Sequence, residues 1–298
     1  MRTQLYFTSN VVYAGWYLAA QNGYFKQAGI DSQLIAGGPN LTSVPAVILG
    51  GQAEIGVATL QAISQAVSKG GDLVAFAAQF QESPGGLLSS AKKPIREPKD
   101  IVGKTLALDP SAKTVVDSIL DKNGLPKDYK AITGTGDVSQ LISGACDGMA
   151  GLVTSQGITL KLRRFDGVAT TFSALGYPSY GNVLFTTRRL LDAHEDRIVA
   201  YLKALRKGWD DQIKNPDAGA ELTVKLYGKA NGLQLEQQKL EARADIPLEQ
   251  SATTRKYGIG AISMEDLEQQ YKVLRDSKVP GLAPLEKVAT TSVTLKAA

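Results

Sequence analysis

Histidine and cysteine are almost missing from this chain. Its 298 residues hold one of each, His194 and Cys146. A lone cysteine rules out an intrachain disulfide and fits either the cytosol or a periplasmic protein without a bridge. One His and one Cys cannot assemble the ligand cluster of a structural zinc site. The same scarcity weakens covalent catalysis. A Ser-His-acid triad would need His194, which sits in "LLDAHEDR" on a surface helix and reads as solvated charge. Cys146 in "GACDGM" has no second His to serve as its base, so it reads as a small buried hydrophobe. There is no G-x-S-x-G elbow, and the carboxylates show no pairing along the sequence. Long apolar runs are absent too: nothing reaches the about 18 residues that a membrane-spanning helix needs. Net charge is only +4, with basic residues scattered among acids, which excludes a nucleic-acid surface built on a basic stripe. Low-complexity tracts and short-period repeats are also lacking.

What is present is alternation. Strand-like and helix-like segments follow one another through the first two-thirds of the chain. "QLYFT" (Gln4–Thr8) reads as a strand, and Tyr13, Trp16, Tyr17 and Ala20 then fall on one helical face, stopped near Gly23. Ile30–Ile35 is a second strand. A helix covers Ser43–Leu49, Glu54–Ala58 is a strand, and Thr59 is placed to cap the helix Leu60–Lys69. Leu73–Gln79 is apolar enough for a buried strand. The Pro- and Gly-rich stretch Gln81–Asp100 breaks the rhythm and reads as a linker. A second block begins at Lys104–Asp109, with Ser111 placed to cap the helix Lys113–Asn123. It continues through Tyr129–Thr133, Gly148–Val153 and Gly167–Thr171, with helices near 138–143 and 156–162. Tyr180–Thr187 is a lone strand. The rest is helical, led by Glu195–Lys214 with Ile198, Tyr201, Leu202 and Leu205 on one face, and ends in a tail expected to be extended.

Three motifs come close to nucleotide-binding patterns and miss. "GTGDVS" (Gly134–Ser139) lacks the third glycine and reads as a tight β-to-α turn. "GIGAIS" (Gly258–Ser263) follows no strand. "VGKT" (Val102–Thr105) would need a glycine where Pro98 stands, and it precedes a strand instead of following one.

Several stretches together resemble one family. They are Ala19–Ile30 ("AAQNGYFKQAGI"), the Gly37-Gly38-Pro39 loop, "GQAEIGV" (Gly51–Val57), "SPGGLL" (Ser83–Leu88), Pro98–Lys104, "SYGNVLFTTRRLL" (Ser179–Leu191), Gly208–Val224 and "IPLEQS" (Ile246–Ser251). On these residues the chain resembles the periplasmic substrate-binding proteins of ABC importers, in the branch that binds thiamine pyrimidine precursors, riboflavin, sulfonates and nitrate. The "YAG" and "YGNVLFTT" stretches are most similar to the thiamine-precursor and flavin subgroup.

The resemblance implies an α/β, bilobal type II periplasmic-binding-protein fold, with mainly parallel sheets, a hinge and a helical C-terminal third. Residues 1–86 plus 185–298 would form lobe one and residues 87–184 lobe two. It implies a monomer that carries a small solute in the interlobe cleft to the transmembrane subunits of an ABC permease, with no cofactor, no metal and no nucleic acid. It also implies a periplasmic or extracytoplasmic location. Met1-Arg2 runs straight into "TQLYF" with no apolar leader, which fits either a cytosolic protein or a mature form, and the resemblance favours the mature form. A heteroaromatic nutrient is the expected solute, and a sulfonate, nitrate or other small anion is the alternative. A pyrimidine synthase on the same scaffold is a further alternative. That enzyme carries a cysteine-rich motif and catalytic histidines, which this chain lacks, so the expectation is a non-enzyme.

Ligands of open α/β sheets sit beyond the carboxyl ends of strands. The expected ligand-binding residues in lobe one are therefore Ser9, Asn10, Gly38, Pro39, Thr59, Gln61 and Gln81, with Gln79 beside them. In lobe two they are Ser111, Lys113, Thr114, Asp137, Thr154 and Ser155, with Gln156 beside them, and Tyr180 and Asn182 lie where the chain recrosses. Tyr13 and Trp16 are either stacking groups for a flat ligand or core. Lys113 with the Ser111 helix start is what motivates an anion.

Overall fold

The computed structural model describes residues 1–38 and 41–298. Among the described residues ten strands form two sheets: β1 Arg2–Gln4, β2 Gln33–Ile35, β3 Ile55–Ala58, β4 Leu73–Phe80, β5 Gly85–Ser90, β6 Thr105–Leu108, β7 Lys130–Thr133, β8 Gly148–Leu152, β9 Gly167–Thr171 and β10 Gly181–Thr187. The first sheet runs β2-β1-β3-β10-β4 and the second β7-β6-β8-β5-β9. Both have the same plan. Three strands are parallel, and the fourth in order (β10 in one sheet, β5 in the other) is antiparallel to both neighbours. Four of five strands in each sheet thus point the same way, and the helices between them are the crossovers that parallel pairing requires.

By its contacts the chain divides into two compact units. Unit 1 is Met1–Gln81, Tyr180–Glu268 and Pro280–Ala298; unit 2 is Glu82–Ser179 with Gln269–Val279.

Helix starts follow local chemistry. The hydroxyls of Ser43, Thr59 and Thr187 accept the N–H groups of Ala46, Ala62 and Leu190, satisfying donors that a helix leaves unpaired. Pro110 and Pro216 stand in the first turn, where a missing N–H costs nothing, behind Asp109 and Asn215 as caps. The Ser111 expectation is therefore corrected. Asp109 caps that helix, its Oδ1 accepting from the N–H groups of Ser111 and Ala112 at 2.8 and 3.0 Å.

The core of unit 1 centres on the helix Glu195–Lys214 packed on the helix Ala14–Gln21. Ile198, Tyr201, Leu202 and Leu205 are all buried, as their helical spacing predicts. The two backbones meet at Gly15 and Gly208: a Cβ on Gly208 would stand 2.0 Å from the Gly15 carbonyl oxygen. Unit 2 has a smaller core of Leu88, Ala107, Val138, Leu141, Cys146, Met149 and Leu160.

Three further expectations are revised. The first strand ends at Gln4, and Tyr6–Asn10 form a bent loop. The expected linker contains β5, because Leu87 and Leu88 are apolar enough to fill an interior strand position. The tail is not extended: Leu285–Val288 and Ser292–Lys296 are short helices that cover β4. Thr290 N donates to Ala75 O at 2.9 Å and the Thr294 hydroxyl to Phe76 O at 3.1 Å, so all eight residues of this edge strand are buried. Among the described residues no helix is long and apolar enough to cross a membrane.

Candidate functional site

In unit 1 the carboxyl ends of β1, β3 and β4 and the start of β10 lie along one edge of the sheet. Register brings Gly181 opposite Phe80 and Val183 opposite Ala58. This gathers Thr59, Gln79, Gln81, Tyr180 and Asn182. Asn10 joins them, because the Gln79 amide donates to Val12 O at 2.8 Å just after the Asn10 cap. Gly38 belongs to the same edge, since Gly37 N donates to Phe7 O at 2.8 Å. Pro39 lies outside the described residues.

Their roles differ. Asn10 Oδ1 accepts from Val12 N at 3.0 Å and Thr59 Oγ1 from Ala62 N at 3.2 Å, so both are helix caps. The Ser9 carbonyl accepts from Asn231 at 2.7 Å. Gln81 is locked: its nitrogen donates to Ala261 O at 3.0 Å and its oxygen accepts from Ser251 at 2.9 Å. Tyr180 is buried, its hydroxyl accepting from Ser263 N at 3.2 Å and meeting Asp266 at 3.0 Å. Gln61 is half-buried on the helix that Thr59 begins.

Tyr13 and Trp16 fall on the core side of the alternative. Both have no exposed surface. The Tyr13 hydroxyl accepts from Phe7 N at 2.9 Å, and Trp16 Nε1 donates to the Tyr201 hydroxyl at 3.1 Å. Trp16 also stands edge-on to Trp209, with centroids 5.1 Å apart. Burial pushes the Tyr13 and Tyr201 hydroxyls far above the ordinary tyrosine value. The aromatic rings that do face solvent at this edge are Tyr6 and Phe7, 42% and 48% exposed and T-shaped to each other at 4.4 Å. Reading "QLYFT" as a strand hid them. The signal available in the sequence was two adjacent aromatics with no alternation, followed by "TSN".

A buried chain of polar side chains underlies this edge. Gln79 and Glu249 have no exposed surface. Gln79 Nε2 donates to Val12 O and to Glu249 Oε1, at 2.8 and 2.7 Å, while its Oε1 accepts from Asn182 Nδ2 at 2.8 Å. Asn182 is half-buried with φ +48°, a left-handed conformation that Asn tolerates better than most residues. Burial raises the Glu249 carboxyl to about 7, and the hydrogen bond from Gln79 opposes part of that rise. The second Glu249 oxygen meets no donor among the described residues.

In unit 2 the parallel strands β6, β7 and β8 also end on one edge, which carries the second set of candidates. Most are engaged locally. Lys113 pairs with Asp117 at 2.6 Å, and the Thr114 hydroxyl donates to Pro110 O at 3.0 Å. Asp137 Oδ1 accepts from Ser139 N at 2.9 Å, which makes "GTGDVS" a capped turn. Thr154 is buried, and Ser155 O accepts from Thr159 N at 2.9 Å at the start of the helix Gln156–Leu162. Gln156 Oε1 accepts from Leu152 N at 2.9 Å. Ser111 is exposed. A carboxylate already occupies the helix start that was expected to hold an anion, and its lysine is paired.

Two cavities lie elsewhere. One of about 270 Å³, lined by Glu54, His194 and Arg197 among others, is at the amino end of the first sheet. Another of about 360 Å³ in unit 2 is lined by Lys122, Tyr177 and Lys272 among others. Neither includes a candidate residue. Cys146 is buried in the unit 2 core, where burial pushes its thiol up, and His194 is exposed. Among the described residues no group of three or more His, Cys, Asp or Glu is placed to hold a metal.

The fold is that of the periplasmic binding proteins. The periplasmic aliphatic sulphonate binding protein SsuA from Escherichia coli superposes with a TM-score of 0.71 at 15% identity, covering 96% of this chain and 90% of that one. A ligand-binding component of an ABC-type import system from Staphylococcus aureus gives 0.70 at 10% identity, over 100% of this chain and 99% of that one. The chain belongs to the NMT1/THI5-like family, whose model matches residues 10–219. A 4-amino-5-hydroxymethyl-2-methylpyrimidine phosphate synthase of Schizosaccharomyces pombe is 26% identical over 218 residues, covering 67% of this chain and 62% of that protein. The formylaminopyrimidine-binding protein of Halalkalibacterium halodurans is 22% identical over 230 residues, covering 74% of this chain and 69% of that protein.

Proposed function

We propose that this protein is the extracytoplasmic solute-binding component of an ABC importer and that its solute is a small heteroaromatic compound of the aminopyrimidine class. The observation that carries this reading is the strand-end edge of unit 1. There an exposed aromatic pair, Tyr6 and Phe7, stands on the same edge as the amide of Asn182. A flat heterocycle needs an aromatic face and a few fixed polar groups, and this edge offers both. The names of the two sequence relatives, each concerned with an aminopyrimidine, support the same class.

The anion alternative is less well supported. Asp109 fills the helix start that motivated it, and Lys113 is neutralised by Asp117. Binding without turnover is favoured over the synthase reading by the placement of the two residues best suited to catalysis: His194 lies on the surface of unit 1 and Cys146 in the core of unit 2.

The test is a thermal-shift and calorimetric titration of the protein with 4-amino-2-methylpyrimidine derivatives, riboflavin, alkanesulfonates and nitrate. At a hundredfold excess over its Kd, a specific solute stabilises by about 2.7 kcal/mol. Stabilisation by aminopyrimidines, weakened in Tyr6→Ala and Phe7→Ala, is the expected result. Stabilisation by sulfonates or nitrate alone overturns the reading, and so does conversion of a bound pyrimidine to product.

A further inference from the structure

The chain Glu249–Gln79–Asn182 does more than hold the sheet edge together, because its hydrogens can be placed in only one way. Val12 O is a carbonyl and can only accept, so the group of Gln79 that faces it at 2.8 Å is the amide nitrogen. The second proton of that nitrogen goes to Glu249 Oε1 at 2.7 Å. The Gln79 oxygen therefore faces Asn182, and a carbonyl oxygen there demands a donor. Asn182 answers with Nδ2 at 2.8 Å. Its own oxygen, Oδ1, is left pointing away from Gln79, with no partner among the described residues. Gln79 and Glu249 are fully buried and Asn182 is half-buried, so Asn182 is the end of the chain that reaches toward solvent.

Resting on the proposed reading of this edge, we infer that Asn182 selects solutes that present an N–H donor. Gln79 is the positioning residue that holds its amide in the accepting orientation. A free asparagine could turn over and offer either N–H or C=O at little cost, and so would accept either kind of solute. Here a turn would bring the Asn182 oxygen against the Gln79 oxygen, and Gln79 cannot turn in response without facing Val12 O with its own oxygen. A solute with an exocyclic amino group completes the chain. One with a methyl group at that position leaves Oδ1 without a partner from the solute, and loss of such a bond costs about tenfold in affinity.

The experiment measures the Kd of two probes of nearly equal shape, 4-amino-2-methylpyrimidine and 2,4-dimethylpyrimidine, by calorimetry on the intact protein. The expected result is a preference of about tenfold for the amino compound in the natural protein. The preference should vanish in Asn182→Gly, which tolerates the positive φ, and shrink in Gln79→Met, which frees the asparagine. The ratio of the two affinities is the readout, because a merely structural defect would weaken both probes together. Equal affinities in the natural protein overturn the inference but leave the proposed function standing, as does a preference that survives Asn182→Gly. Failure of both probes to bind the natural protein overturns the aminopyrimidine reading, and the inference with it.

Discussion

The two sheets share one plan but not one dressing. Unit 1 buries Trp16, Trp209, Tyr13, Tyr17, Tyr201 and Phe25 in its core, and its strand-end edge keeps an exposed aromatic pair and an amide oxygen that Gln79 does not use. Unit 2 has a small aliphatic core, and the polar groups at its edge are mostly spent on caps and local ion pairs. A shared topology thus says where a solute site can be built. Whether polar groups remain unspent there says which sheet supplies the contacts that discriminate.

The sharpest way to break this comparison is Gly208→Ala. Its Cβ would stand 2.0 Å from the Gly15 carbonyl oxygen, a backbone atom that cannot swing aside. A loss of about 3 kcal/mol or more in unit 1 is expected, read as a lowered denaturant midpoint by tryptophan fluorescence, since Trp16 and Trp209 lie at this contact. An equally large effect is not expected from Gly144→Ala in unit 2, where a Cβ meets nothing within 4 Å and the strain comes only from φ +76°.

Glu249 adds a pH dependence to unit 1. Its carboxyl sits at about 7 in the folded protein, against an ordinary 4.5. Between those values the folded state holds a proton that the unfolded state has released. Stability contributed by the neutral acid is therefore present at low pH and is lost as pH rises through about 7. The loss amounts to about 3 kcal/mol across the window. Melting curves from pH 4 to 8 should slope downward for the natural protein and flatten in Glu249→Gln. An unchanged slope in that variant would remove Glu249 as the cause.

Tyr6→Ala and Phe7→Ala should each weaken aminopyrimidine binding by about tenfold, with little change in melting temperature because both rings are exposed. Trp16→Phe should do the reverse, changing stability and leaving affinity in place. The smallest effect is expected from Lys113→Ala. Its exposed pair with Asp117 is worth about 0.5 kcal/mol at most, and solute affinity should not move.

Local chemistry made most of the scaffold legible. Helices start where Ser43 and Thr59 offer a capping oxygen, and the helix Glu195–Lys214 is visible in the spacing of Ile198, Tyr201, Leu202 and Leu205. Two points that the sequence left undecided or misplaced share a cause. A helical stripe says that Tyr13 and Trp16 face one way but not what they face, and the answer lies in Trp209 and Tyr201, far along the chain. "QLYFT" has high strand propensity, yet pairing stops at Gln4, where the chain bends under Gly37 and exposes Tyr6 and Phe7. The Glu249–Gln79–Asn182 chain was out of reach altogether. Gln79 and Glu249 are 170 residues apart, and no local pattern reports such a contact.

The placement of β10 also orders the assembly of the two sheets. The strands of the second sheet lie in one continuous stretch, from Gly85 to Thr171. The first sheet has a gap between β3 and β4 that only β10 fills, and β10 ends at Thr187. As the chain emerges N-terminus first, the inserted sheet has all its strands before the surrounding one does. The first four strands of unit 1 must wait, with β3 and β4 unpaired to each other, for a segment made about a hundred residues later. For that interval β3 and β4 each lack the neighbour that the finished sheet gives them.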